Sequence, residues 1–64
     1  MNRFSETLHM LRLMRDKYRC LQKSAEKAGA TGAAAASKVT ADMTQSTIDW
    51  YEEEERKLKA EAST

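Results

Sequence analysis

Apolar side chains recur at heptad spacing along both halves of this chain. From Phe4, one line runs Phe4, Leu11, Tyr18, Ala25, and a second runs Thr7, Met14, Leu21, Ala28. These are the first and fourth positions of successive heptads, the spacing of a coiled-coil seam. Leu8 broadens the seam at its start, and residue size falls from Phe and Leu to Ala along it. The pattern predicts a helix over about residues 4–28. Asn2 or Ser5 serves as its cap, and Glu6 sits in the first turn, where a carboxylate complements the dipole. Lys23 and Lys27 suit its last turns for the same reason.

The chain has no proline, and both of its glycines fall in Ala28-Gly29-Ala30-Thr31-Gly32-Ala33. Glycine is costly inside a helix and common just past a helix end. A turn is predicted at about 29–32, with Gly29 in the left-handed conformation. Four alanines follow, and alanine is the best helix former. A second helix over about 33–62 is predicted, with Thr31 as its N-cap. Its seam reads Ser37, Thr44, Tyr51, Leu58 and Ala41, Ile48, Glu55, Ala62, with Val39, Met43 and Trp50 on a neighbouring line. The rival is a fresh start at the capping box Ser46-Thr47-Ile48-Asp49, which leaves residues 29–45 loose. Glu52 with Arg56, Glu53 with Lys57 and Glu55 with Lys59 form i,i+4 pairs along the last stretch, and residues 60–64 fray.

The fold class is therefore all-α, an antiparallel two-helix hairpin resembling a coiled coil. A chain of 64 residues buries only about 60% of its unfolded surface. One Cys and one His supply neither a disulfide nor a metal staple. Small unstapled chains gain stability by oligomerising or docking. The hairpin is thus expected to be completed by self-association or by docking into a larger complex.

Charge refines this picture. A net charge of +1 argues against a simple polybasic binder. Arg15, Arg19, Lys23 and Lys27 nevertheless repeat every fourth residue, and like charges at that spacing repel. Folding about residues 30 and 31 places Lys38 and Asp42 opposite them, so the hairpin does not neutralise its own stripe. The stripe is solvated, or it meets an acidic protein partner or nucleic-acid phosphates. Against nucleic acid, it carries no interleaved aromatics.

Chemistry of other kinds finds little support. His9 and Cys20 are too few for a metal site, and eleven helical residues hold them about 16 Å apart. A nucleophilic pair is excluded on the same ground. Cys20 reads as a buried or half-buried small hydrophobe. The two glycines lack the Lys-Ser/Thr of a phosphate loop. No catalytic residue, metal, cofactor or small-molecule substrate is expected. No apolar run approaches the roughly 20 residues of a membrane span, and the N-terminal stretch lacks the h-region of a secretory signal. A lone cysteine fits a reducing intracellular compartment, the cytoplasm first and the mitochondrion second.

Length and layout resemble the small plasmid copy-control hairpins. Tyr51 and Glu55 resemble the short Tyr-x-x-x-Asp/Glu pattern of small secreted hairpins of type VII systems, whose Trp-x-Gly turn is here Ala-Thr-Gly. Neither likeness assigns a family. The function expected is that of a non-enzymatic protein–protein interaction module, a subunit or adaptor of a larger assembly. A protein or a second copy of the chain is the partner, and Met10, Met43 and Trp50 form the partner-binding patch. The alternative is an RNA-binding hairpin using Arg15, Arg19, Lys23 and Lys27.

Overall fold

A computed structural model describes residues 4–63. Two helices, α1 (Ser5–Lys27) and α2 (Thr31–Ser63), pack side by side as an antiparallel hairpin. With 33 residues against 23, α2 projects beyond α1 at the open end. The molecule is accordingly elongated, 53 × 16 × 11 Å.

The turn is a Schellman motif. Gly29 has φ +74°, the left-handed conformation that a side chain resists. The Ala30 amide donates to the Ala25 carbonyl at 2.9 Å, and the Gly29 amide to that of Glu26 at 3.1 Å. Those two bonds satisfy carbonyls that the end of α1 would otherwise leave open. The new helix follows at once. Ala30, not Thr31, holds the capping position, since its carbonyl accepts from the Ala34 amide at 2.9 Å. Asn2, one of the two caps expected for α1, lies outside the described residues. Ser5 is the first helical residue, and Phe4 precedes it without a capping side chain.

The second helix runs unbroken through the capping-box sequence, so the loose segment at 29–45 does not exist. Instead of capping a new helix, Ser46 donates to the Asp42 carbonyl at 3.2 Å. Thr40, Thr44 and Thr47 bond back to the carbonyls of Ala36, Thr40 and Met43 in the same way. Hydroxyls that compete with the backbone in an isolated helix are thus satisfied within it. Thr44, the one buried polar residue among those described, needs no other partner.

The core follows the sequence on α2 as far as Leu58, while Ala62, expected on the same seam, is exposed; on α1 the core departs from the sequence. Ala34, Ala41, Thr44 and Ile48 are buried, and Ser37, Tyr51, Glu55 and Leu58 continue their line half-buried. On α1 the line Phe4, Leu11, Tyr18, Ala25 faces inward. Its companion is not Thr7, Met14, Leu21, Ala28, all of which are exposed. The inward residues are Leu8, Arg15 and Gln22, one place later in each heptad. Leu8 is 2% exposed against 44% for Met14 and 45% for Leu21.

Electrostatics accounts for that rotation. The Arg12 guanidinium reaches Glu52 at 2.9 Å, and Arg19 reaches Asp42 at 2.8 Å. Arg15 donates to Gln45 Oε1 at 2.9 Å and to Asp16 at 3.0 Å. Turning Met14 and Leu21 inward would swing these arginines off their partners and expose Leu8. The hairpin therefore does neutralise part of its own stripe, contrary to expectation. The i,i+4 pairs expected near the C-terminus are also replaced. Glu52 serves Arg12, while Glu53 pairs with Arg56 and Glu54 with Lys57 at i,i+3 spacing.

Candidate interaction surface

Three cross-hairpin bonds orient the molecule. Arg12 with Glu52, Arg15 with Gln45 and Arg19 with Asp42 all lie along one edge of the helix pair. On an antiparallel pair, the residues flanking the core on the other edge then belong to the opposite broad face. From α1 these are Thr7, Met14, Leu21 and Ala28, with Met10 and Lys17 beside them. From α2 they are Thr40, Thr47 and Glu54, with Met43 and Trp50 beside them.

This division separates the surface chemically. Met10, Met14, Leu21, Met43 and Trp50 are exposed large hydrophobes, and all five fall on the second face. Leu13 and Val39, also exposed, sit on the outer shoulders of the two helices. Among the described residues the first face has no large exposed hydrophobe. It carries His9, Arg12, Asp16, Arg19, Lys23, Lys38, Asp42, Asp49 and Glu52 instead. Scattered surface hydrophobes are ordinary, whereas a contiguous set on one side marks an interaction surface.

Trp50 is 57% exposed, its ring standing edge-on to Tyr51 at 5.0 Å between centroids. Tyr51 in turn meets Phe4 at 5.1 Å. An aromatic relay thus runs from the hairpin's interior at the open end to its apolar face. Near the same end Glu6, Thr7, His9, Met10 and Leu11 line an open hollow.

Met10, Met43 and Trp50 are therefore brought onto one face. Sequence reasoning missed Met14 and Leu21, having placed both in the seam. The signal that finds them is the match of Arg12, Arg15 and Arg19 to Glu52, Gln45 and Asp42 across the turn. That match selects which edge of α1 is polar.

The four cations of the basic stripe are not brought together. Arg15 is half-buried in the seam, and Arg19 lies at its polar edge. Lys23 is exposed on the polar face and Lys27 on the outer shoulder. Two hydrogen bonds, from Arg19 first and Lys38 second, hold the Asp42 carboxyl below its ordinary value of 3.8. Cys20, expected to be at least half-buried, is a free thiol exposed on the outer shoulder of α1. Among the described residues no group of three or more His, Cys, Asp or Glu is placed to hold a metal ion. Among the described residues no helix is long and apolar enough to cross a membrane.

Comparison with protein families, with curated proteins and with solved structures finds no match for this chain.

Proposed function

We propose that this hairpin is a small non-enzymatic protein–protein interaction module, a subunit or adaptor that docks through its apolar face. One observation carries the reading: among the described residues, every large hydrophobe exposed on either broad face lies on the same one. The thin core supports it. Leu8 and Ile48 are the largest fully buried side chains, and much of the inward surface of α2 is Ala, Ser and Thr. Covering the apolar face adds the burial that so short a chain lacks. Met and Trp suit such a surface, since Met adapts to irregular contours and Trp is enriched at hot spots.

The test is Met43→Glu, which places a charge in the middle of the face without touching the core. Helicity of the dilute protein is expected to persist while binding to whatever occupies the face falls at least tenfold. Undiminished binding by a folded Met43→Glu variant would remove the face from consideration.

The nucleic-acid reading has less to stand on. Arg15 and Arg19 already serve Gln45, Asp16 and Asp42, which leaves Lys23 and Lys27 of the original four. A mobility shift that weakens steeply with salt and is lost in the double variant Lys23→Ala, Lys27→Ala would restore it.

A further inference from the structure

The occupant of the apolar face follows from how its side chains are arranged by height. Arg12 bonds Glu52, Arg15 bonds Gln45 and Arg19 bonds Asp42, so residues at roughly equal height carry numbers adding to about 61. By that rule Met10 stands level with Trp50, Met14 with Thr47, Lys17 with Met43 and Thr44, and Leu21 with Thr40. Each level of the face pairs a residue of α1 with one of α2.

We infer that the partner is a second copy of this chain, laid face to face about a two-fold axis running along the hairpin. The inference rests on the docking face proposed above. Rotation about that axis lays α1 of one copy over α2 of the other at the same height. Met10 of each copy then meets Trp50 of its neighbour, an S–aromatic contact made twice. Leu21 meets Thr40, and Met14 meets Thr47, again twice each. Such reciprocal pairing is what an isologous interface requires.

Side-chain pairing selects this axis over the head-to-tail alternative. Head-to-tail packing lays α1 over α1 and α2 over α2 about the middle of the patch near position 15, which sets Lys17 over Met14 and leaves Trp50 over Thr40 instead of Met10. The turn-to-turn arrangement sets Lys17 against Met43, over which its alkyl stem can lie. Glu54 then faces Thr7, so no like charges meet on the face itself.

The area suffices. The two-helix portion is about 35 Å long and about 20 Å wide from helix dimensions. Pairing two such faces covers about 700 Å² on each copy, about 1,400 Å² together, within the range of specific interfaces. The rim carries both signs, Lys17 and Lys57 with Glu54 and Glu61. An anionic bilayer would favour a cationic rim. Each helix of the resulting four-helix bundle has antiparallel neighbours, the up-down arrangement that such bundles favour.

Sedimentation equilibrium of the 7.3 kDa chain across micromolar to hundred-micromolar concentration tests the inference. The expected result is a monomer–dimer equilibrium whose dissociation constant rises at least tenfold in Met43→Glu and in Trp50→Ala. Spin labels at position 30, in a Cys20→Ser, Ala30→Cys variant, then report the axis. The expected separation is under about 25 Å, two helix diameters. A separation near 40 Å overturns the turn-to-turn arrangement. A folded monomer at the highest concentration overturns self-pairing, as does a monomer that instead floats with phosphatidylserine vesicles. The docking reading survives the first of those results if Met43→Glu still abolishes capture of another protein. A dimer indifferent to Met43→Glu and Trp50→Ala overturns both readings.

Discussion

Ile48 and Trp50 stand two residues apart on α2 and face different things, which makes their truncation a decisive pair. Ile48 is 1% exposed. Removing its three outer carbons costs about 2–5 kcal/mol, of which the better helix propensity of alanine returns a few tenths. A chain of 64 residues has a total stability of about 3–10 kcal/mol at typical per-residue values. Ile48→Ala therefore removes a large fraction of the fold, and Ile48→Val about 0.5–1.5 kcal/mol. Trp50 keeps 57% of its surface in water and meets Tyr51 in a T-shaped ring pair. Losing that aromatic pair costs the isolated hairpin about 0.5–1.5 kcal/mol. Urea melts followed by circular dichroism, run at a concentration low enough that sedimentation shows a monomer, measure both. The expected order is Ile48→Ala far below Trp50→Ala, with Trp50→Ala close to wild type. Raising the protein concentration then stabilises the wild type and leaves Trp50→Ala behind, because association contributes by mass action. If Trp50→Ala melts the dilute hairpin as severely as Ile48→Ala, the indole belongs to the core and the apolar face loses its anchor.

Three further outcomes are expected. Gly29→Val meets no neighbouring atom but must hold φ near +74°, so thermal melts should show a loss of about 1–2 kcal/mol. Gly32→Ala, helical and equally unobstructed, should gain about 0.5–1 kcal/mol; equal responses from the two would refute the turn geometry. Glu55 lies on the seam with a buried Oε1 that has no hydrogen-bond partner, so Glu55→Leu should raise stability by about 1–2 kcal/mol in urea, and a loss would mean that the carboxylate is held by a contact the seam requires. Asp42 has a depressed carboxyl pKa, so its ion pairs stabilise the fold fully above its ordinary value of 3.8 and lose that effect as pH falls through the lowered value; melting temperatures of wild type and Asp42→Asn should differ at pH 7 and converge in strong acid, and a gap that widens on acidification would reverse the sign of the linkage.

Much of the fold was legible because one inward line of α2 keeps heptad spacing from Ser37 to Leu58, longer than the neighbouring line of Val39, Met43 and Trp50. Ser37, Ala41, Thr44, Ile48, Tyr51, Glu55 and Leu58 alternate by four and three, and all of them turn inward. Helix α1 offers two apolar companions to the line Phe4, Leu11, Tyr18, Ala25. Thr7, Met14, Leu21, Ala28 has the higher hydrophobicity, whereas Leu8, Arg15, Gln22 contains a charge and an amide. Hydrophobicity alone selects the first and the structure uses the second. What decides between them lies on the other helix. Gln45, Asp42 and Glu52 are partners for Arg15, Arg19 and Arg12, and Ala34 and Ala41 let the backbones approach beside them. A periodicity read within one helix carries no information about its neighbour's polar edge. The displaced companion line then becomes the exposed flank of the apolar face, so the misread seam and the incomplete reading of that face are one error.

The basic stripe is not one surface, for a geometric reason that applies to any run of i,i+4 charges. Each residue advances about 100° around an α-helix, so a step of four advances about 400°, a net turn of about 40°. Three such steps, from position 15 to position 27, sweep about 120°. A stripe that begins in the seam therefore ends on the outside. Arg15 accordingly lies half-buried against Gln45 while Lys27 faces away from α2. The heptad line turns the other way, by about −20° in each seven residues, and a slight supercoil absorbs it. The two patterns diverge by about 150° over the same stretch, so they cannot both keep to one face. Four cations spread through a third of the helix circumference, two of them already bonded, do not present a single surface to a phosphate backbone. The apolar residues at heptad spacing do present one, and that difference in pitch is why the partner of this hairpin is sought on its methionine and tryptophan side.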